Sequence, residues 1–256
     1  MKKILVATLI AAMTLVVAAP VLAVSVGLLS NDSDTRQNQV RAGLMSTGLF
    51  TSVEITNTGA GISGLSQYDA ILSWSVLDWG GNMAGDMMAG YVSQGGGLVL
   101  ASFSYTNNYS VRGGILNSGY SPYLPVDGGA GAPFSGVMDM SSATHAIFTG
   151  IDSLTFATAS NYVDPVLAGS ELARDTNGNS LVAINANGDV IGINLYPGYN
   201  ADNDACNLLF ANALLYTSDN EIAGDCGEPV PEPATLLLLG AGLAGFGLRR
   251  AGKRAE

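Results

Sequence analysis

The chain reads as a doubly wound α/β sheet with hairpin strands added in its second half. Three observations point there. Apolar, β-branched runs alternate with helical patterns in the order βαβαβαβ over residues 24–103, with short connections. Two of the runs, "VSVGLLS" (24–30) and "GLVLASF" (97–103), are continuously apolar, as strands buried on both faces are. Further on, the pairs Asn177-Gly178 and Asn187-Gly188 punctuate strand-like segments, a strong hairpin signal.

Residues 24–30 form the first predicted strand. "NDSDT" then offers N-cap residues, Asp32 and Asp34 among them, for a helix over Thr35–Thr47 that Gly48 stops at the C′ position. "SVEITN" (52–57) alternates faces as a second strand, and "LSQYDAILSWS" places a short helical turn before a third, Ala70–Ser75. Met83, Ala84, Met87, Met88, Tyr91 and Val92 recur at helical spacing, and "QGGG" ends that helix before the fourth strand, 97–103. Residues 104–150, rich in Gly, Ser, Pro and Tyr, read as long irregular excursions. "ELARDTNGNSLVAINANGDVIGINLYPG" reads as three strands joined by the Asn-Gly turns. A last helix, Asp202–Tyr216, puts Cys206, Leu209, Phe210, Ala213 and Leu214 on one face. No internal repeat is present.

The two ends differ from this body. Lys2 and Lys3, an apolar run from Ile4 to Ala23 and the small-residue site Val21-Leu22-Ala23 have the layout of a secretory signal peptide, 1–23. Six of the ten basic residues lie in the terminal segments. The body, 24–231, keeps Arg36, Arg41, Arg112 and Arg174 against nineteen acidic residues, a net charge of −15 with no lysine. Such a surface repels nucleic acid and anionic lipid headgroups, so no nucleic-acid partner is expected. Residues 24–219 suit one α/β domain, and the acidic, Gly- and Pro-containing stretch 220–230 reads as a linker.

The segment 231–256 closes the chain with Pro231-Glu232-Pro233, the apolar run Ala234–Leu248, then Arg249 and Arg250. Fifteen apolar residues make roughly 22 Å of helix, short of the ~30 Å a permanent span covers. The three features in this order resemble the PEP-CTERM sorting signal of Gram-negative bacteria. The resemblance implies an exosortase partner that cuts near the triplet. It also implies export across the inner membrane by the Sec machinery, transient retention by the C-terminal helix, and then a cell-surface or extracellular location. The physics is compatible: basic residues stay cytoplasmic, and the two prolines keep the cleavage segment extended. Gly240, Gly242, Gly245 and Gly247 thin one helix face for packing in the membrane.

The body resembles the class I glutamine amidotransferase-like superfamily, especially its ThuA-like and non-catalytic relatives. The stretches that carry the likeness are "LSQYDAILSWS", "YVSQGGGLVLAS", "THAIFTG", "VIGINLYPG" and "LLFANALLY". The resemblance implies a flavodoxin-like three-layer fold. An active member needs a Cys nucleophile on a tight strand-to-helix elbow with a His base. The elbow here reads "LVLASFSYTN", offering Ser102 and Ser104 but no Cys. The sole histidine, His145, sits where relatives carry His-Pro, and Ala146 replaces the Pro. Ser104 and His145 are therefore weak catalytic candidates, and a structural hydrogen-bonding role for His145 is the bland alternative.

No cofactor and no metal are expected. "GAGISG" (59–64) follows the second strand and "GAGLAG" (240–245) lies in the sorting helix, so neither has a dinucleotide-binding setting. Asp32 and Asp34 occupy the helix N-terminus where a flavin phosphate would sit. "DTNGN" (175–179) lacks the Gly and the bidentate Glu of a calcium loop. The candidate ligand surface lies beyond the carboxyl ends of the strands: Asn31, Asp32, Trp74, Ser75, Asp78, Trp79, Ser102, Ser104 and Tyr105. Aromatic rings beside carboxylates and hydroxyls suit a neutral sugar; core packing of Trp74 is the equal alternative. Export permits a Cys206–Cys226 disulfide, although Cys206 on the apolar helix face also suits a buried thiol. The reading is an exported, tail-sorted domain that binds extracellular polysaccharide. A degenerate serine hydrolase using Ser104 and His145, and a purely structural envelope role, stay open beside it.

Overall fold

The computed structural model describes residues 24–105, 109, 111–117, 119–123, 134–159 and 170–218. The segments read above as signal peptide, linker and sorting tail, with Cys226, Pro231, Glu232, Pro233, Arg249 and Arg250, lie outside the described residues. Among those described, no helix is long and apolar enough to cross a membrane.

Five strands run parallel at the heart of the domain: β1 (Ser25–Ser30), β2 (Ser52–Thr56), β3 (Ala70–Trp74), β4 (Gly97–Ala101) and β9 (Val190–Ile193). The hairpin strands β7 (Glu171–Arg174) and β8 (Ser180–Ile184) extend the sheet antiparallel to β9, giving the order β2-β1-β3-β4-β9-β8-β7. The parallel part has the flavodoxin-like order, with its switch point between β1 and β3. This is the predicted architecture, mixed α/β with a mostly parallel sheet.

Period-two alternation sorts the central strands onto two cores. Val26, Leu28, Ala70, Leu72, Trp74, Val99, Ala101, Ile191 and Ile193 face one cluster, shared with α1 (Asp34–Ser46) and α5 (Asp204–Ser218). Leu29, Ile71, Leu98, Leu100 and Val190 face the other, under α2 (Gly61–Leu65) and α3 (Met83–Ser93). The predicted apolar face of α5 is buried in full, each large side chain stabilising by about 1.5–3 kcal/mol. The C-terminal turn of α5 lies against the start of β4. A Cβ on Gly97 would meet the Thr217 carbonyl oxygen at 2.2 Å, so only glycine fits there.

Several boundaries move, for identifiable reasons. The N-cap of α1 is Ser33, whose hydroxyl accepts from the Arg36 N–H at 3.4 Å; Asp34 is the first helical residue and Asp32 lies outside the helix. Gly48 does stop α1, at φ 70°. The fourth strand ends at Ala101 rather than residue 103, because Phe103 turns the chain with φ 68°. The last helix starts at Asp204 and runs to Ser218. Within and just beyond the segment read as irregular, β5 (Phe134–Val137) and β6 (Thr155–Ala159) form a second, two-stranded antiparallel sheet. A short helix α4 (Pro197–Asn200) follows β9.

Candidate functional site

The crevice between the carboxyl ends of β1 and β3 is where a flavodoxin-like sheet holds a ligand, and here side chains close it. Asn31 accepts from the N–H groups of Val76 (2.9 Å) and Leu77 (3.3 Å), and its amide donates to the Leu77 carbonyl and the Ser75 hydroxyl. Ser75 is fully buried and donates to the Leu77 carbonyl at 2.9 Å. Asp32 accepts from the Trp74 indole N–H at 3.0 Å and, on the same oxygen, from the Tyr196 hydroxyl. Its other oxygen takes the Ser33 N–H at 2.7 Å. Burial, followed by this bond to Asp32, pushes the Tyr196 phenol well above its ordinary range. Trp74 has no exposed surface, so its rings belong to the core, and Asp32 satisfies the one polar atom it buries.

Beyond β4 the chain makes a sharp elbow. The residue held at positive φ is neither Ser102 nor Ser104 but Phe103. A bulky residue at such a φ is a genuine outlier, and strain of this kind concentrates at functional sites. Ser102 and Ser104 flank it with no exposed surface, and their hydroxyls have no hydrogen-bond partner. Phe103 is half-buried. Its ring lies 5.9 Å edge-on from Tyr109 and 5.6 Å from Tyr196, and Tyr196 in turn lies 4.9 Å edge-on from Tyr199. The Arg36 guanidinium sits 4.6 Å over the Tyr199 ring, anchored on the Gly198 carbonyl at 2.9 Å. Four rings and a guanidinium thus form one row along the carboxyl edge, ending in Tyr199, which is 54% exposed.

The other expected ligand residues fall around this row. Asp78 is exposed and pairs with Arg112 at 2.8 Å. Trp79 packs half-buried on the α3-side core, its indole N–H buried without a partner. Tyr105 points away into the core: its hydroxyl donates to the Leu100 carbonyl at 3.2 Å, and its ring is edge-on to Tyr123 at 5.0 Å. Burial and then the neighbouring Tyr123 raise its phenol far out of the titrating range.

Ser104 and His145 are set apart. The His145 Nδ1 accepts from the Ile147 N–H at 3.4 Å, capping a short 3-10 turn, and its ring packs edge-on against Tyr216 at 4.8 Å. Tyr216 adjoins Thr217, whose backbone abuts Gly97 at the beginning of β4, whereas Ser104 follows the end of that strand. The strand's length, roughly 16 Å, separates these two ends. Burial lowers the His145 imidazole below its ordinary value.

Cys206 is a free thiol with no exposed surface, and burial pushes it up to about 12. Cys226, and with it the expected bond, lies outside the described residues. In "DTNGN" the buried Asp175 carboxylate accepts from the Asn177 N–H (2.9 Å), the Asn179 N–H (2.8 Å) and the Asn179 side chain (2.8 Å). Burial alone would raise Asp175; the hydrogen bonds from Asn179 and Asn177 outweigh it and hold the carboxyl below its usual range. Among the described residues no group of three or more His, Cys, Asp or Glu side chains is placed for a metal ion. A shallow cleft of about 340 Å³, lined by Ser46, Thr47, Asp204, Asn207 and Leu208, lies between α1 and α5.

Sequence reasoning missed Phe103, Tyr109, Tyr196, Tyr199 and Arg36. The rule that selected the ends of the first four strands, applied to the last parallel strand, selects "LYPGY" and with it Tyr196 and Tyr199. Nothing in the sequence marks Phe103 as the strained residue.

Two comparisons with known proteins bear on this arrangement. Residues 229–251 match the PEP-CTERM protein-sorting motif, which implies export, membrane-anchored sorting and an exosortase as processing partner. Among solved structures, the fold is similar to ThuA-like proteins. One from Parabacteroides merdae has 15% identity and a TM-score of 0.52, covering 82% of this chain and 94% of that one. Another from Bacteroides uniformis has 14% identity and a TM-score of 0.50, covering 78% and 92%. A GMP synthase protein from Thermoplasma acidophilum is similar at 12% identity and a TM-score of 0.51, covering 80% and 99%. No curated protein matches the chain in sequence.

Proposed function

We propose that this exported protein is a non-catalytic module that binds neutral polysaccharide outside the cell through the aromatic row at the carboxyl edge of its sheet. One observation carries the reading: the strained elbow, the position from which this kind of fold presents a nucleophile, holds Phe103, whose ring joins Tyr109, Tyr196 and Tyr199. A phenyl ring cannot attack a carbonyl, but it offers a flat apolar face. Sugar rings present matching apolar faces and hydroxyls for the polar groups around them. The lysine-free body, with its net charge of −15, disfavours anionic polymers.

The serine hydrolase reading loses support for two reasons. Ser104 is occluded without a base beside it, and His145 is committed to a turn at the other end of β4. A hydroxyl without a base is a poor nucleophile. In the same proposal, residues 1–23 are removed during export through the Sec machinery. The tail holds the chain at the inner membrane until cleavage near Pro231–Pro233 releases it to the surface or matrix.

Affinity electrophoresis of the purified protein in gels cast with dextran, galactomannan or polygalacturonate tests this. The neutral polymers are expected to retard the wild type and the uronate to leave it free. Tyr199→Ala and Phe103→Ala should lose the retardation. Migration unaffected by every polymer would refute the proposal, as would a Phe103→Ala protein that binds like the wild type.

A further inference from the structure

Buried polar side chains nearly always find a partner. Among the described residues, five buried side-chain atoms do not: Gln37 Oε1, Ser73 Oγ, Ser102 Oγ, Ser104 Oγ and Trp79 Nε1. Four of the five stand toward the carboxyl ends of β3 and β4 or on the segments that leave them. Ser73 pairs in register with Leu100, so its side chain shares the α3 face with Leu100 and, one pleat further on, Ser102. Ser104 follows in the same elbow. Trp79 lies on the loop leaving β3 and packs on that same core. Three hydroxyls, each able to donate and accept, and one N–H donor thus sit unpartnered where β3 and β4 end.

Chance burial does not account for this set. Other buried polar residues nearby are satisfied: Ser75 on the Leu77 carbonyl and Tyr105 on the Leu100 carbonyl. A group of occluded hydroxyls is expensive to maintain, because each gives up its hydration for nothing. Such a cost persists where the unmet groups serve binding. The loop between β3 and α3 leaves the sheet beside the set and lays Trp79 on the same core. Its turn, Gly80 and Gly81, has open space where a Cβ would stand at either glycine, and Leu77 is 59% exposed. The outer side of the loop is thus unburdened by packing. It is held at its base by Asn31 and farther along by the Asp78–Arg112 pair.

We infer that this set forms a polar subsite for the hydroxyl groups of a neutral sugar once the loop Leu77–Asn82 lifts, with Ser73, Ser102 and Ser104 contributing from the sheet and the Trp79 N–H from the loop itself. The ligand is neutral and rich in hydroxyls because the set carries no charge, and three of its four members both give and accept hydrogen bonds. An anionic sugar would bring its charge to a place with no unpaired cation in the set and with Asp78 on the loop above. The inference rests on the polysaccharide reading and adds to it a second contact region, deeper than the aromatic row.

The test pairs two measurements on the purified protein carrying Ser73→Ala, Ser102→Ala, Ser104→Ala or Trp79→Phe. The first is thermal unfolding without sugar. Each serine variant removes an unmet polar group, so its Tm should rise by about 2–4 °C. The second is affinity electrophoresis in dextran and galactomannan gels, where each variant should bind roughly three- to tenfold more weakly than the wild type. Serine variants whose Tm falls would overturn the subsite, since their hydroxyls must then be satisfied in the free protein. Variants that bind like the wild type, while Tyr199→Ala abolishes binding, would overturn it and leave the polysaccharide reading standing. A wild type that binds neither polymer would overturn both.

Discussion

Removing the Asp32 carboxylate should cost the domain about 4 kcal/mol. One of its oxygens takes two buried donors, the indole N–H of Trp74, with no exposed surface, and the hydroxyl of Tyr196, 4% exposed. Asp32→Ala leaves both without a partner, and an orphaned buried donor costs about 1–3 kcal/mol. That is a large part of the 5–15 kcal/mol by which a typical domain is stable. Asp32→Asn keeps an acceptor toward Trp74 and Tyr196 but turns an amide toward the Ser33 N–H, which the carboxylate accepts at 2.7 Å. Its expected cost is about 1–2 kcal/mol. Urea unfolding followed by fluorescence reads both: at a slope of about 2 kcal/mol/M the Ala midpoint should fall by roughly 2 M. In a Tyr196→Phe background one donor is already gone, so Asp32→Ala should cost about 1–3 kcal/mol less there. An Asp32→Ala protein within about 0.5 kcal/mol of the wild type, or equal costs for Ala and Asn, would refute the reasoning.

Three further outcomes are expected. His145 is held neutral by burial, so its folded pKa lies below the ordinary value near 6.5. Above that pH the residue leaves stability unaffected; as pH falls from about 6.5 toward the folded value, the unfolded chain binds the proton first and stability drops. His145→Gln should flatten the Tm-versus-pH curve in that window, and an unchanged slope would count against the assignment. The Cys206 thiol, pushed up to about 12 by burial, should react with a disulfide reagent only after unfolding, as peptide mapping would show; labelling in the native protein would contradict its burial. Pro231→Ala combined with Pro233→Ala should leave the tail attached in cells, because the segment expected to be cut can then join the helix that the sequence predicts; normal processing by intact mass would exclude that role for the prolines.

The parallel strands were legible because burial on both faces leaves continuous apolar runs, and Gly48 and the Asn-Gly turns were legible because backbone geometry limits what can stand there. The same double burial made Trp74 ambiguous: a strand apolar on both sides does not say which residues reach solvent. Asp32 looked like a cap because its local setting suits one, whereas its partner Tyr196 lies 164 residues away. Phe103 was invisible for the opposite reason. Sequence rules assign positive φ to Gly or Asn, and only tertiary contacts hold a phenylalanine there. The strand β5 hid in a region whose Gly and Ser content resembles loop, and its partner β6 lies just beyond it.

The place of β9 in the sheet governs when the domain can form. It pairs with β4, yet 88 residues separate the end of one at Ala101 from the start of the other at Val190. Until that stretch has been made, β4 has an open edge with its backbone groups unmatched, the core under α1 lacks Ile191, Ile193 and the whole of α5, and the core under α3 lacks Val190. Closing so large a loop before any reward arrives slows folding. A chain emerging N-terminus first is therefore committed to remaining unfolded until nearly all of the domain has appeared. That delay suits passage through a channel that admits only an extended polypeptide.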